Sequence, residues 1–91
     1  MSFTVTKVID GDTVEVDPKW NWKSKKTTGS RVRLANVDAP ELKERGGLAA
    51  KQKLEKLLLN KEVDLKNLVS LSYGRLVCDV YLGNKNIADS L

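Results

Sequence analysis

One stretch of this chain carries apolar side chains at helical spacing. Over residues 48–59, Ala50, Leu54, Leu57 and Leu58 fall on one side of a helix, and Lys51, Lys53, Glu55 and Lys56 face water. Gly46-Gly47 breaks the chain before it and Asn60 is a natural stop after it. The remaining apolar content comes in short runs rich in β-branched residues and separated by turn residues. That pattern confines the fold to short strands arranged around a single helix.

Residues 3–9 predict a first strand, Asp10-Gly11 a tight two-residue turn, and residues 13–16 a second strand. Residues 17–30 are polar and lysine-rich and end in Thr-Gly-Ser, so they read as a long hairpin connection. Residues 31–37 form a third strand. Residues 62–65 form a fourth, with Val63 and Leu65 facing inward. Residues 70–75 turn, and residues 76–82 form a fifth strand closed by Gly83-Asn84. Five strands with a helix between the third and fourth match an OB-fold barrel, the leucine face of the helix plugging its open end. Residues 87–91 suggest the start of another helix too short to stand alone, as if a last helix were truncated or dispensed with.

With 91 residues there is room for one domain, residues 1–91, and no internal repeat divides it. No apolar run reaches the length of a membrane span, and residues 1–4 lead straight into a strand pattern without the marks of a secretory leader. The expectation is a monomer in the cytoplasm, or a secreted form whose leader has been removed. A net charge of +4 leans towards an anionic partner. There is one cysteine and no histidine, which excludes an intrachain disulfide and a zinc site of the usual His/Cys kind. Catalysis would have to run on carboxylates, guanidiniums, amines and hydroxyls.

Three short motifs carry such groups: V-I-D-G-D-T at 8–13, R-V-R-L-A-N-V-D-A-P-E at 31–41, and S-Y-G-R at 72–75. Each has a structural explanation. Asp10-Gly11-Asp12 suits a hairpin turn, Asp38 to Glu41 a capping box, and Tyr73-Gly74-Arg75 a turn opening a strand. Together they suggest more. Asp12 and Asp38 are expected at the ends of neighbouring strands, where a hard divalent cation would relieve their repulsion, and Asp10 can reach a metal-bound water. Arg33 and Arg75 flank the same edge and suit phosphate oxygens. Glu41 is a spare carboxylate able to orient a water. These are the parts that phosphodiester hydrolysis needs.

In this order, with G-x-x-A opening the helix, the motifs resemble those of the staphylococcal nuclease (thermonuclease) family across essentially the whole chain. The resemblance implies an OB-fold, calcium-dependent nuclease cleaving DNA and RNA. It implies that Asp12 and Asp38 ligate Ca²⁺ directly and Asp10 through water. Ala39 stands where the family has a threonine that ligates through its backbone carbonyl. Glu41 falls on the general base, and Arg33 and Arg75 on the arginines that bind the scissile phosphate. Mg²⁺ or Mn²⁺ could occupy the same carboxylates. Tyr73 keeps a substrate-contacting tyrosine, whereas Ser72 replaces a phosphate-contacting lysine, and the family's C-terminal helices have no counterpart within residues 1–91.

Lys19-Trp20-Asn21-Trp22-Lys23 leaves two readings open. Trp20 and Trp22 could stack on unpaired bases while the lysines meet phosphates, giving a single-strand preference. Alternatively both indoles, on one face by strand parity, pack on the barrel. Cys78 alternates with Leu76 and Val80 and is expected in the core. Two further functions stay open at this point. One is a catalytically silent module that binds nucleic acid or protein, and the other is a fragment that folds or binds only with a partner.

Overall fold

The strand β1 (Phe3–Asp10) turns directly into β2 (Thr13–Trp22), with Asp10 paired to Thr13 and only Gly11-Asp12 between them. A computed structural model describes residues 2–91. Bulges between Val5 and Lys7 and between Val8 and Asp10 curl β1. One edge of β1 pairs with β2, and the other reaches β4 (Glu62–Ser72) through Phe3 and Thr4. β3 (Thr27–Leu34) runs antiparallel to β2, and β5 (Arg75–Leu82) antiparallel to β4. A parallel contact of Val32, Arg33 and Leu34 with Leu76, Val77 and Cys78 then closes the sheet on itself. The outcome is a mainly β, closed five-stranded barrel with one α-helix, the OB-type architecture expected from the strand order. A two-residue β6 (Lys85–Asn86) extends the edge beyond β5.

Alternation fills the barrel. Val14 and Val16 of β2, Val32 and Leu34 of β3, and Leu76, Cys78 and Val80 of β5 are all buried. The helix α1 (Gly47–Leu58) packs against β1 and inserts Leu54 and Leu58, both fully buried, with Leu57 partly covered. Asn60 ends it in the left-handed region at φ 65°, and its N–H donates to the Val5 carbonyl at 2.8 Å. The helix end is thereby tied to the barrel. Cys78 is in the core, where burial pushes its thiol up to about 12. After β6, Asn86 Oδ1 accepts from Ala88 N at 3.1 Å and caps a single 3₁₀ turn, Ile87–Ser90, which buries Ile87. Among the described residues, no helix is long and apolar enough to cross a membrane.

Three boundaries differ from expectation. The stretch at 17–30 is mostly strand: β2 continues to Trp22, β3 begins at Thr27, and a 3₁₀ turn at Lys23–Lys25 joins them. Its lysines decorate a solvated face of a hairpin, which polarity alone cannot distinguish from a loop. The third strand ends at Leu34 rather than at residue 37, because Asn36 takes a positive φ of 62° and turns the chain away. The fourth strand runs on to Ser72. A bulge between Lys66 and Ser70, with Asn67 at φ 55°, shifts its alternation and leaves Leu68, Val69 and Leu71 exposed. Only Tyr73-Gly74 is left as the turn, both with positive φ.

The helix plugs the barrel through Leu54 and Leu58. Leu54→Ala is expected to lower stability by about 2–5 kcal/mol, because the cavity would lie between helix and barrel. Urea unfolding followed by tryptophan fluorescence checks this; a change below about 1 kcal/mol would mean that the helix is not packed as described.

Candidate active site

The β2–β3–β5 contacts set a row of side chains on the outer face of the barrel. Thr13 pairs with Arg33, and Arg33 with Val77, so these three are neighbours on one face. Arg75 lies two residues before Val77 on the same strand and so shares that face. The hydrogen bonds agree with this register. Arg75 Nη1 donates to Thr13 Oγ1 at 3.0 Å, and Thr13 Oγ1 donates to Asp12 Oδ1 at 3.0 Å. Asp12 Oδ2 lies 3.5 Å from Arg33 Nη2. Each guanidinium is also steadied by a carbonyl: Arg75 Nε donates to Ser72 O at 3.1 Å and Arg33 Nη1 to Leu34 O at 3.3 Å. Asp12 is therefore held through both of its oxygens.

Asp10 meets Asp12 from the other side of the turn, its Oδ1 accepting from Asp12 N at 3.0 Å. Burial pushes the Asp10 carboxyl up, but the hydrogen bonds from Asp12 and Thr13 outweigh it, and Asp10 is held below the usual carboxylate range. Asp12 goes the opposite way. Burial and the neighbouring Asp10 raise its pKa, against the opposing pull of Thr13 and Arg33. The two carboxyls thus meet at one turn with their tendencies to ionise pushed apart.

The segment between β3 and α1 supplies the opposite wall. Glu44 Oε1 accepts from Glu41 N at 3.1 Å, and Glu44 N donates to Glu41 O at 2.9 Å, which folds residues 41–44 into a compact turn. The capping interaction is therefore between Glu41 and Glu44, not between Asp38 and Glu41 as the spacing suggested. Asp10, Asp12, Arg33, Asp38, Ala39, Pro40, Glu41, Glu44 and Arg75 together line one polar cleft of about 290 Å³. Asp10 and Asp12 line it from the β1–β2 turn and Asp38 from the facing segment. Even so, among the described residues no three carboxylate, histidine or cysteine side chains are gathered closely enough to hold a metal ion unaided.

Every charged residue singled out in the three motifs, and Ala39 with them, faces this cleft. Tyr73 stands at the tip of the β4–β5 hairpin, 97% exposed. The tryptophans lie elsewhere. Trp20 is 2% exposed and its indole N–H donates to the Arg31 carbonyl at 2.8 Å, so base stacking by Trp20 gives way to packing in the core. Trp22 is half-buried against the core. Glu44 and Pro40 of the cleft, and Thr13 behind it, were not foreseen. Glu44 carried a signal in its three-residue spacing from Glu41, whereas Thr13, the bridge between Arg75 and Asp12, is recognisable only once the register is known.

Comparison with known proteins gives a consistent answer. The family profile described as Staphylococcal nuclease homologue matches residues 31–91, which include Arg33, Asp38, Glu41 and Arg75. An uncharacterized endonuclease of Escherichia coli O157:H7 is 36% identical over 77 residues, covering 85% of this chain and 46% of that protein. A micrococcal nuclease of Shigella flexneri is 36% identical over 77 residues, covering 85% and 40%. An uncharacterized endonuclease of Haemophilus influenzae is 39% identical over 83 residues, covering 91% and 43%. The chain spans less than half the length of these relatives. It belongs to the staphylococcal nuclease homologue family. Asp10 and Asp12 lie outside the matched segment, and it is the fold that brings them to the cleft.

The bridge at Thr13 is testable. Thr13→Val keeps the shape but leaves the Arg75 donor and the Asp12 acceptor without their shared hydroxyl, at an expected cost of about 1–3 kcal/mol. Thermal and urea melts read it. An unchanged midpoint would show that the hydroxyl bridges nothing.

Proposed function

We propose, from that membership and the arrangement of the cleft, that the domain hydrolyses phosphodiester bonds of nucleic acid, DNA or RNA, with single strands preferred. We further infer that it works with a divalent cation, Ca²⁺ in the first place and Mg²⁺ or Mn²⁺ as alternatives. The observation that carries the reading is the meeting of Asp10, Asp12, Asp38 and Glu41 with both guanidiniums in one cleft.

The residues present fit a hard cation. All the donors are oxygens, and the cleft gathers the carboxylates of Asp10, Asp12, Asp38, Glu41 and Glu44 against two guanidiniums. Asp12 and Asp38 would hold the ion, with the Ala39 carbonyl, and Asp10 would act through water. Because no three side chains form a complete ligand set, water and the substrate phosphate are needed to finish it, as is common for Mg²⁺ and Ca²⁺. When bound, such an ion polarises a phosphoryl oxygen and lowers the pKa of a coordinated water.

The rest is the work of this chain. A guanidinium carries five N–H donors, and Arg33 and Arg75 each commit only part of that set inside the protein. The remaining donors can take the equatorial oxygens of the scissile phosphate and stabilise the charge that develops there. Because Thr13 and Asp12 hold them in place beforehand, little reorganisation accompanies the reaction. Glu41, exposed on the facing wall, accepts the proton of the attacking water.

One observation favours a second reading, a module that binds nucleic acid without cutting it. Asp12 already spends both oxygens on Thr13 and Arg33, and no complete ligand cluster exists among the described residues. Digestion of single- and double-stranded substrates with Ca²⁺, Mg²⁺ or a chelator separates the two. We expect cleavage that the chelator abolishes and that Asp38→Ala removes. Arg75→Ala is expected to lower turnover about 10²–10³-fold, the effect of losing one preorganised electrostatic donor. Wild-type turnover in Arg75→Ala or Glu41→Gln would rule out this mechanism, and binding without any metal-dependent cleavage would favour the silent module.

A further inference from the structure

The chain's surplus of positive charge sits in one place. Between Asp17 and Arg31 stand Lys19, Lys23, Lys25, Lys26 and Arg31 against Asp17 alone, a surplus equal to the entire net charge of +4. All these cations are exposed on the β2–β3 hairpin. Arg31 approaches Glu15 at 4.0 Å, and among the described residues none of the four lysines has a carboxylate partner. A cluster of unpaired like charges repels itself, so an anionic occupant relieves it.

Beside these lysines the hairpin offers an apolar hollow of about 170 Å³, lined by Phe3, Trp20, Asn21, Trp22, Leu65, Leu68 and Leu76. Trp20 makes a fixed floor. Its N–H is committed, and its ring lies so flat on β3 that a Cβ at Gly29 would come within 2.8 Å of it. Trp22 forms a wall with part of its ring open, and Lys25 Nζ lies 5.7 Å from that ring's centroid. On the far rim Leu68 is 42% exposed. Aromatic and aliphatic walls next to a row of cations match the flat apolar faces and regularly spaced phosphates of a single strand.

We propose that this hairpin is a second contact surface for single-stranded nucleic acid, with a base seated against Trp22 and the backbone running over Lys19, Lys23, Lys25 and Lys26. The inference rests on the nuclease reading for the identity of the strand as substrate. Thr13 stands at the cleft and Trp22 at the far end of the same strand β2, up to about 30 Å away at the usual rise per residue. One strand spanning both falls within the roughly 4–16 nucleotides that an OB barrel covers. The cleft cuts, and the hairpin holds.

The test is binding of a labelled 20-nucleotide oligothymidylate to the whole chain, in chelator so that nothing is cut, across a range of KCl. K19Q/K23Q/K25Q/K26Q is expected to weaken binding at least tenfold at 0.1 M salt. It should also flatten the log–log salt dependence by up to about 2.8, at roughly 0.7 for each phosphate left without its lysine. Trp22→Ala is expected to weaken binding at least about fivefold, with Trp22→Phe restoring most of it. K7Q/K43Q/K56Q/K61Q removes the same charge elsewhere and is expected to do far less. Equal losses in the two lysine sets, or wild-type binding in both hairpin variants with unchanged melting, would overturn the proposal. So would binding to vesicles rich in phosphatidylserine that matches or exceeds binding to the oligonucleotide. Because the readout needs no turnover, an absence of cleavage would count against the nuclease reading alone.

Discussion

Two glycines that leave no room for a Cβ shape the cleft. A Cβ on Gly11 would lie 2.7 Å from the Cβ atoms of Ala39 and Ala50, and one on Gly47 would run into the backbone of Glu41. The first hairpin therefore pins the β3–α1 segment at Ala39, and the helix pins it at Glu41. That segment has no regular structure of its own, yet it carries Asp38 and Glu41 on the cleft wall. Loops that do chemistry are commonly mobile unless a rigid scaffold fixes them. Here the scaffold approaches from both sides. Gly11 serves this purpose through the space it leaves, since its φ is an ordinary one.

The second determinant is barrel closure. Without the parallel contact of β3 with β5, Arg33 and Arg75 would belong to separate hairpins of the sheet. Closure makes them neighbours on one outer face and aligns Thr13 beneath the same row of cross-strand pairs. The hydroxyl then links a guanidinium to a carboxylate across three strands. The same closure places the inward set, Leu34, Cys78 and Leu76, in the core. One registration event thus settles both the packing and the site, because alternation along each strand sends neighbouring residues to opposite faces.

Much of this was legible in the residues themselves. The single helix, the five barrel strands and the charged groups of the cleft other than Glu44 follow from hydrophobic period and from three short motifs, because each is a local property. What was not legible depends on partners. Residues 17–30 read as a loop because Lys19, Lys23, Lys25 and Lys26 mask a hairpin whose regularity is held by Trp20 and its bond to Arg31. Residues 66–72 lost their strand signal to the bulge at Asn67, which moved Leu68 and Val69 outward. Trp20 and Trp22 share a face, as parity says, but only the barrel decides that Trp20 is covered and Trp22 half open. Thr13 is a turn-flanking threonine like any other until Arg75 is brought to it from 62 residues away.

On the proposed function, the charge of the cleft would account for capture and chemistry occupying different parts of the molecule. Five carboxylates and two guanidiniums line it, so its own groups sum to about −3 when ionised. A polyanion is not drawn to such a place by the arginines alone. A dication would reduce the excess to about −1, which permits a phosphate to enter but gives it little long-range attraction. Beyond roughly 8–10 Å, salt screens what remains. On the proposed function, the attraction would come from a surface with a local surplus of cations, and the β2–β3 hairpin, with Lys19, Lys23, Lys25, Lys26 and Arg31 against Asp17, is such a surface. Moving those lysines next to the carboxylates would pair them and cancel both functions. On the same reading, separation along β2 would keep the acids free for a metal and the lysines free for a strand.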